Sequence, residues 1–409
     1  MIGVSAFGML IFTTRPVGDA MATTIWGTSS SWTLTALPLF VWMGEILYRT
    51  KLSENLFKGL APWMSRLPGG LIHVNVVGCA LFAAISGSSA ATVATVGKMS
   101  IPELRKRKYP EKLLLGSLAG SGTLGLLIPP SIILIIYGVT VQESIAKLFI
   151  AGIIPGIMIA IFFMLYVIGW SIINKKSMPK IEESFSFSKK IKDSMQLIPV
   201  ILLITSVIGS IYVGIATATE AASLGVVGAL ILSFFQKSLN KESFKLSLLG
   251  ATKTSCMIAF ILAGSSFLAL AMGFTGLPRN LAIWIQEMNL SPYILIFVLT
   301  LFYIILGMFL DGISAVVLTM AIIEPMIRQA GFDMIWFGIF LVIVVEMAQI
   351  TPPVGFNLFV LQGLANKDMG FIAKSAFPLF ILMIFAVFVI IVFPEIALWL
   401  PKQMIQPIK

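Results

Sequence analysis

The sequence has a single histidine, His73, and two cysteines, Cys79 and Cys256, among its 409 residues. One histidine cannot supply a histidine metal cluster or an H-E-x-x-H zinc motif, and it severely limits any histidine-based catalytic triad. The cysteines lie in apolar segments with no histidine at a metal-ligand spacing, so we predict that both are buried thiols. The phosphate-binding motif G-x-x-x-x-G-K-[ST] is also absent, which excludes ATP hydrolysis by a P-loop.

Charged residues are scarce as well. Asp, Glu, Lys and Arg make up 11% of the chain, against 58% hydrophobic residues and a mean hydropathy of +1.00. This composition is typical of an α-helical protein that crosses a membrane many times, and it leaves no segment for a separate soluble domain. The net charge of +10 comes from basic residues in short loops between apolar runs. Such loops indicate membrane topology, and no nucleic-acid partner is expected.

Apolar segments alternate with short polar loops along the chain. Two of them, 71–101 and 291–326, are too long for one membrane span and too short for two, and each has Gly, Ser or Asp near its middle. We predict that both are re-entrant helical hairpins, which require burial within protein. The other predicted apolar segments are 1–13, 32–48, 112–140, 145–173, 194–215, 220–236, 251–274, 334–364 and 371–400.

The second half of the chain repeats the first. Pro102 lies 27 residues before the pair Pro129-Pro130, and Pro325 lies 27 residues before the pair Pro352-Pro353. A Leu-x-x-Asn-Leu sequence also recurs, and an internal duplication accounts for all these matches. Five predicted spans separate the two hairpins, and this odd number inverts the second repeat relative to the first. We therefore predict an all-α polytopic membrane protein with inverted repeats, two re-entrant hairpins and two broken helices.

The distribution of basic residues predicts the orientation. If the loop 105–108 is cytoplasmic, 22 of the 28 Lys and Arg residues fall on the cytoplasmic side, as the positive-inside rule expects. Hairpin 1 then enters from the cytoplasm and hairpin 2 from the opposite side. The six basic residues predicted to face that opposite side are Arg15, Lys147, Arg279, Arg328, Lys402 and Lys409.

The two proline pairs predict breaks in membrane helices. Because proline has no N–H group, each pair is expected to leave the carbonyls four residues earlier without donors: Gly125 and Leu126 before one pair, Ala348 and Gln349 before the other. Carbonyls at membrane depth beside a hairpin tip suit a sodium ion. The first predicted sodium site consists of Ser86, Gly87, Ser88, Gly122, Gly125, Leu126 and Pro129. The second consists of Asp311, Gly312, Ala348, Gln349, Thr351 and Pro352.

The residues at the hairpin tips also have structural interpretations. The small residues 86–89 suit the close packing of two membrane helices as well as an ion site. Asp311 lies where a charge costs about 2.5–3.5 kcal/mol, so it should face an ion, a partner or water. Its alternative role is to cap the following half-helix. With an offset of 225 residues, Asp311 takes the position of Ser86 in the first repeat.

Three glutamates in or near the apolar segments raise the same question. Glu346 and Glu324 either serve a site or pair with a basic residue near an interface. Glu220, in the sequence Thr217-Ala-Thr-Glu220, lies at the start of a predicted helix, where a carboxylate interacts favourably with the helix dipole. Capping is therefore the structural interpretation of Glu220.

Four motifs together carry a family resemblance. They resemble the large membrane subunit of tripartite ATP-independent periplasmic (TRAP) transporters over essentially the whole chain. Family members usually carry more sequence before Gly3, so the resemblance implies a member shortened in its first helix. The motifs are Ala84-Ile-Ser-Gly-Ser-Ser-Ala-Ala91, Gly122-Thr-Leu-Gly-Leu-Leu-Ile-Pro-Pro-Ser131, Leu148-Phe-Ile-Ala-Gly-Ile-Ile-Pro-Gly156 and Gln349-Ile-Thr-Pro-Pro-Val-Gly-Phe-Asn357.

The resemblance implies a multi-pass protein of the bacterial inner (cytoplasmic) membrane that is not an enzyme. It implies sodium-driven uptake of organic acid anions, of the sialic acid or C4-dicarboxylate class, by an elevator mechanism. The expected partners are a periplasmic substrate-binding protein, a small four-helix membrane subunit and the lipid bilayer. No cofactor is expected beyond sodium as the coupling ion. The implied transport domain comprises 71–145 and 291–366, and the implied scaffold comprises 1–70, 146–290 and 367–409.

The substrate contacts follow from the same resemblance. Basic residues are scarce within the predicted spans, so helix N-termini and hydroxyl groups are the expected contacts for an anion. The residues assigned to the substrate are Ser88, Ser89, Thr92, Ser131, Thr351 and Asn357.

Three other functions stay open at this point. A related ion-coupled anion carrier would keep the sodium sites but need no binding protein. A channel would share the broken helices but would not show saturable, sodium-dependent uptake. An intramembrane hydrolase would have to use Ser, Asp or Lys, and an aspartyl protease would need two intramembrane aspartates where only Asp311 qualifies.

Overall fold

The computed structural model describes residues 1–12, 16–49, 52–179, 187–276, 278–281, 283 and 291–404. Within these residues there are helices and loops but no β-strand, so the predicted all-α class is confirmed. The helices up to the first broken helix are α1 (Ile2–Phe12), α2 (Val17–Ser29), α3 (Ala36–Tyr48), α4 (Leu52–Met64), α5 (Ile72–Ser86), α6 (Ser89–Lys106), α7 (Glu111–Gly122), α8 (Leu124–Leu127) and α9 (Ile132–Val141).

The remaining helices include the longest ones of the fold and the second hairpin. They are α10 (Ile145–Ile173), α11 (Phe187–Ser194), α12 (Ile198–Tyr212), α13 (Ala218–Phe235), α14 (Lys241–Thr275), α15 (Pro292–Gly307), α16 (Gly312–Gln329), α17 (Met334–Ala348), α18 (Phe356–Ala365), α19 (Met369–Val392) and α20 (Glu395–Lys402).

Both predicted hairpins and both predicted breaks are present. Hairpin 1 is formed by α5 and α6, and hairpin 2 by α15 and α16. The first broken helix runs through α7 and α8 and continues as α9 after residues 128–131, with a bend of 40°. The second broken helix consists of α17 and α18, separated by residues 349–355.

The two halves correspond helix by helix. Helices α6 and α16 both have 18 residues, and α9 and α18 both have 10. Gln142 follows α9 as its C-cap, and Asn366 follows α18 in the same way. Both of these residues have left-handed backbone conformations. The helix that follows is capped by Ser144 in the first half and by Asp368 in the second. The duplication inferred from sequence therefore extends to turns and caps.

Reciprocal packing joins the halves. Helix α6 of the first half packs on α18 of the second, and α16 of the second half packs on α9 of the first. In the same way α7 packs on α19, and α17 packs on α10. Two halves related by a twofold axis exchange contacts in this manner. The exchange brings the two hairpins and the two breaks to the centre of the molecule.

The core follows from this exchange. Helix α17 is buried along almost its whole length, and α7 and α9 are buried nearly as completely. Hydrophobic side chains at the outer surface are concentrated on helices such as α13 and α19. Within the described residues, five helices are long and apolar enough to cross a membrane, and the bent pair 111–127 and 132–141 makes a sixth.

Several sequence predictions need correction. Helices α2 and α4 were not predicted, because α2 combines Asp19 with polar hydroxyls and α4 is amphipathic rather than uniformly apolar. Cys79 is buried as predicted, but the prediction is wrong for Cys256, which is exposed on α14. Two residues used for the orientation, Arg15 and Lys409, lie outside the described residues.

Candidate functional site

The tip of hairpin 1 is a two-residue turn between α5 and α6. Gly87 ends α5 in the left-handed conformation, with φ of 59°, and Ser88 is extended and caps α6, its hydroxyl accepting the Ala91 N–H at 3.4 Å. A side chain at position 87 would be strained, and its Cβ would lie 2.8 Å from the Pro130 carbonyl oxygen. The Ile132 N–H donates to the Gly87 carbonyl at 3.4 Å. The tip of hairpin 1 (tip 1) thus packs against the first break.

Glycine in the broken helix permits this contact. A Cβ on Gly125 would lie 2.6 Å from both the Ser88 carbonyl oxygen and the Ser89 Cα atom. One turn earlier, a Cβ on Gly122 would overlap the Val93 side chain. The structure therefore brings the predicted first-site residues of the tip next to those of the break.

The tip of hairpin 2 has a longer connection, residues 308–311. Asp311 caps α16, and its carboxylate accepts the N–H groups of Ile313 at 3.1 Å and Ser314 at 3.2 Å. The capping interpretation of Asp311 is therefore correct, although it does not exclude contact with an ion. The Gln349 side chain donates to the Leu310 carbonyl at 3.3 Å, which joins tip 2 to the second break.

The caps also correct the alignment of the two tips. Ser88 caps α6 and Asp311 caps α16, and both helices then run for 18 residues. Asp311 therefore corresponds to Ser88, 223 residues earlier, and the predicted match with Ser86 is wrong. The offset changes because the turn at tip 1 has two residues and the connection at tip 2 has four.

A side chain, rather than empty space, faces the Leu126 carbonyl at the first break. The peptide bond between Pro129 and Pro130 is cis, and Ser131 caps α9 by accepting the Leu134 N–H at 3.3 Å. The Ser131 hydroxyl donates to the Leu126 carbonyl, so the prediction that this carbonyl lacks a donor is wrong. The hydroxyl takes the place of the N–H that proline does not have.

The second break repeats this arrangement with different residues. The peptide bond between Pro352 and Pro353 is also cis. The Ala348 carbonyl accepts the Thr351 hydroxyl at 2.7 Å and its N–H at 3.1 Å, and the Gln349 carbonyl accepts the Asn357 N–H at 3.1 Å. These two carbonyls were also predicted to lack donors, which is wrong. Because a carbonyl oxygen has two lone pairs, each could still accept a cation in addition.

Both tips and both breaks line one cavity of about 600 Å³. It lies between the hairpin tips on one side and helices α3 and α14 on the other. The predicted site residues that line it are Ser86, Ser88, Ser89, Leu126, Asp311, Gly312 and Gln349. The predicted site residues that do not line it are Gly87, Thr92, Gly122, Gly125, Pro129, Ser131, Ala348, Thr351, Pro352 and Asn357.

Sequence reasoning missed three polar residues of this lining. They are Glu45 and Tyr48 from α3 and Thr254 from α14. Glu45 pairs with Arg49 at 3.0 Å and packs against Gly250 of α14. A carboxylate within the apolar segment 32–48 was the signal that could have drawn attention to Glu45, although nothing local showed which way it faced.

The described residues that line the cavity include two carboxylates, Glu45 and Asp311, and neither Lys nor Arg. Arg49 balances Glu45 through its ion pair, so an anion entering this cavity would meet the negative charge of Asp311 without a basic lining side chain to balance it. Cations would be attracted, and the attraction is stronger in a site of low dielectric constant than in water. The helix N-termini at Ser88 and Asp311 add partial positive charge at the two tips.

Glu220 and Glu324, two of the three glutamates considered in the sequence, have structural partners. Glu220 forms a capping box with Thr217: its carboxylate accepts the Thr217 N–H at 2.8 Å, and the Thr217 hydroxyl accepts the Glu220 N–H at 3.3 Å. Glu324 pairs with Arg328 at 2.9 Å. Both structural interpretations are confirmed.

Comparison with protein families decides the class of this chain. The family model described as "Tripartite ATP-independent periplasmic transporter, DctM component" matches residues 1–396. The chain belongs to the DctM family. The resemblance stated from the four motifs is thereby confirmed, and this family of transporter permeases spans the membrane several times, in agreement with the apolar helices.

Relatives within the DctM family carry names with different substrates. The chain is 32% identical to the C4-dicarboxylate TRAP transporter large permease protein DctM of Pseudomonas aeruginosa, over 98% of this chain and 93% of that protein. It is 28% identical to the sialic acid TRAP transporter large permease protein SiaM of Vibrio cholerae, over 97% and 92%. It is 30% identical to the isethionate TRAP transporter permease protein DctMQ of Oleidesulfovibrio alaskensis, over 97% of this chain but only 62% of that longer protein.

A solved structure supports the fold. The YdaH transporter of Alcanivorax borkumensis, whose crystal structure is described as having an unusual topology, matches 93% of this chain with a TM-score of 0.64. The match covers 88% of the YdaH chain at 12% sequence identity. At this identity the likeness concerns the fold alone.

Proposed function

We propose that this DctM-family permease takes up organic acid anions by sodium-coupled secondary active transport. The observation that carries the proposal is the single cavity shared by both tips and both breaks, which has Asp311 and the Arg49-paired Glu45 but no basic side chain among its described lining residues. Cations bound nearby would lower the electrostatic cost of binding an anion there. Bound sodium would provide that charge and couple uptake to the sodium gradient.

The sodium ions are placed in this proposal where each tip meets its break. The first site uses Ser86, Ser88 and the carbonyl groups around Leu126, and the second uses Asp311 and the carbonyl groups around Gln349. Hydroxyl, carbonyl and carboxylate oxygens are the ligands that hard cations prefer. Ser88 and Ser89 are the predicted substrate residues that line the cavity, so they are the contacts we assign to the anion first.

An elevator mechanism accounts for the position of the cavity. In this proposal the hairpins and broken helices, within 71–145 and 291–366, move as a transport domain. Residues 1–70, 146–290 and 367–409 form the scaffold, which includes α3 and α14. Because the cavity lies between the tips and these two helices, sliding of the tips along them would expose the cavity to each side of the membrane in turn.

The partners and location follow from the family. We propose that the chain resides in the bacterial inner membrane with a small four-helix subunit and receives its substrate from a periplasmic binding protein. The relative named DctMQ is longer than this chain, which spans 62% of it. The names of the relatives favour a C4-dicarboxylate or a sialic acid as substrate.

Uptake by proteoliposomes tests the proposal. The permease is reconstituted with its small subunit, and uptake of a labelled C4-dicarboxylate and a labelled sialic acid is followed with and without a periplasmic binding protein from the same organism. We expect saturable uptake of one of them that requires both an inward sodium gradient and the binding protein. Uptake that needs sodium but not the binding protein would instead indicate an independent ion-coupled carrier, and non-saturable uptake would indicate a channel.

A further inference from the structure

Glu346 is a buried carboxylate outside the two predicted sodium sites. It lies in α17 and is 1% exposed, and neither of its carboxylate oxygens has a hydrogen-bond partner within the described part of the chain. The Ser89 side chain of tip 1 faces this carboxylate and is close enough to interact with it, but no hydrogen bond of ordinary geometry joins the two. An ionised carboxylate is very unfavourable in a dry interior unless a cation or several donors compensate it.

A second buried polar side chain lies close by without partners. Asn357, in the first turn of α18, is fully buried, and neither its Oδ1 nor its Nδ2 atom has a partner among the described residues. Its amide nitrogen lies 3.7 Å from the position of a Cβ on Gly122, while Ser89 packs one turn further along, on Gly125. Glu346 thus faces hairpin 1, and Asn357 faces the adjacent turn of the first broken helix.

Glu346 and Ala348 lie on different sides of α17. Residues 346 and 348 are two positions apart, which is about 200° around an α-helix. Ala348 packs against Gly307 of hairpin 2, whereas Glu346 faces Ser89 of hairpin 1. The Glu346 carboxylate therefore faces tip 1, whereas Ala348 faces hairpin 2.

The internal repeat gives this carboxylate no counterpart. The position 223 residues before Glu346 is Thr123, whose hydroxyl donates to the Gly120 carbonyl at 2.6 Å. The caps of α9 and α18 place Ile133 opposite Asn357 in the alignment of the halves. The first half thus has a satisfied threonine and an isoleucine where the second half has an unpaired carboxylate and an unpaired amide.

We infer that Glu346, Asn357 and Ser89 form a further binding site for a sodium ion, behind tip 1. A hard cation would be held by the Glu346 carboxylate, the Ser89 hydroxyl and the Asn357 amide oxygen, and it would compensate both the carboxylate and the unpartnered Asn357 Oδ1 atom. A proton on Glu346 would neutralise the carboxylate but would leave Asn357 Oδ1 without a partner. The ion would enter past Ser89, which lines the cavity.

The site would join the two halves of the molecule. Ser89 belongs to the first hairpin, and Glu346 and Asn357 belong to the two parts of the second broken helix. A bound sodium ion would therefore hold tip 1 against the second break, and its release would loosen this contact. This inference rests on the proposed sodium coupling and adds a third ion to it.

Sodium binding to the purified complex of full-length permease and small subunit tests the inference. Equilibrium binding of ²²Na⁺ gives the number of ions per permease for the wild type, for Glu346→Gln and for the control Glu324→Gln, whose carboxylate pairs with Arg328 instead. We expect Glu346→Gln to bind one ion fewer than the wild type and Glu324→Gln to bind the same number. An unchanged number in Glu346→Gln would overturn the inference while leaving the proposed function intact.

Two further measurements cover the remaining outcomes. If Glu346→Gln does not fold, Asn357→Ala is measured alone: we expect at least a tenfold increase in the sodium concentration that half-fills one of the sites, and no change would overturn the inference. If Glu346→Gln keeps its sodium ions but alters the pH dependence of uptake, the carboxylate binds a proton and the inference is also wrong. A wild-type complex that binds no sodium would contradict the proposed function itself.

Discussion

The two hairpin tips have related backbone arrangements, but the side chains around them differ. Tip 1 turns in two residues, is rich in hydroxyl groups and faces the Glu346 carboxylate. Tip 2 uses a four-residue connection that ends in Asp311, and Gly312 behind it rests against Val345, Ile133 and Leu126. Duplication has kept the lengths and caps of the helices, which fix the position of the tips. The side chains have diverged, and with them the charge available to a bound ion.

We expect the largest mutational effect where tip 1 packs against the first break. We expect Gly125→Ala to lower the uptake rate more than tenfold and to destabilise the protein by about 1–3 kcal/mol, because the added Cβ would press on backbone atoms of Ser88 and Ser89 that cannot rotate away. The second half has Ala348 at the equivalent position and accommodates it with Gly307. Initial uptake rates and thermal unfolding of the variant check this prediction.

Gly363→Ala is the matched control for Gly125→Ala. Gly363 lies in α18, and a Cβ there would meet nothing within 4 Å. This variant should transport normally and be slightly more stable, since alanine suits a helix better than glycine. Equal uptake by the Gly125→Ala and Gly363→Ala variants would show that tip 1 does not rest on the first break.

The breaks test whether both halves bind sodium. Replacing Pro129 and Pro130 with alanine restores two N–H groups and lets the helix close, so we expect the sodium concentration for half-maximal uptake to rise several-fold. The same replacement of Pro352 and Pro353 should have a comparable effect. Uptake measured over a range of sodium concentrations decides this, and an unchanged sodium dependence in either variant would remove the sodium site from that break.

Asp311 separates capping from ion attraction at tip 2. Asparagine caps a helix nearly as well as aspartate, so Asp311→Asn should change the free energy of unfolding by less than about 1 kcal/mol. Loss of the carboxylate from the cavity should nevertheless raise the sodium concentration for half-maximal uptake a few-fold.

Asp333→Asn is the control for this variant. Asp333 caps α17 through the N–H groups of Ile335 at 2.8 Å and Trp336 at 3.1 Å, and it does not belong to the cavity lining. The Asp333→Asn variant should keep the wild-type sodium dependence. If the Asp311→Asn variant keeps it too, Asp311 has only the structural role.

The smallest effect is expected from labels that report orientation. Cysteines introduced at Lys106, the last residue of hairpin 1, and at Arg279, before hairpin 2, should lie on opposite sides of the membrane. They should leave uptake unchanged. Both positions are exposed, and the exposed native Cys256 is first replaced by serine. An impermeant thiol reagent applied to intact cells should reach position 279 and not 106. Equal labelling would contradict the inverted arrangement of the halves.

Much of the central fold could be predicted from the sequence because certain residue types favour particular backbone conformations. Gly87 provides the left-handed turn at tip 1, and the paired prolines interrupt the hydrogen bonding of both broken helices. Both signals are local, and the proline pair occurs twice. By contrast, α2 and α4 were missed, since neither of these short helices has a long apolar run.

The surroundings of the site were harder to predict because they depend on tertiary packing. No local pattern shows that Glu45 and Thr254 face a cavity formed by distant hairpins. The hydroxyls of Ser131 and Thr351 occupy the carbonyls that were expected to lack donors, which requires knowing the path of the chain beyond each proline pair. The lack of hydrogen-bond partners for Glu346 likewise depends on how the two halves of the molecule pack together.

Simultaneous flux of ion and substrate tests the central claim of sodium coupling most directly. Proteoliposomes that contain the permease and its small subunit, with binding protein supplied outside, are given labelled organic acid and ²²Na⁺ in the same experiment. We predict that the acid accumulates above its external concentration only with an inward sodium gradient, and that sodium enters with it in a fixed ratio. Accumulation driven without sodium, or without accompanying sodium entry, would contradict the account.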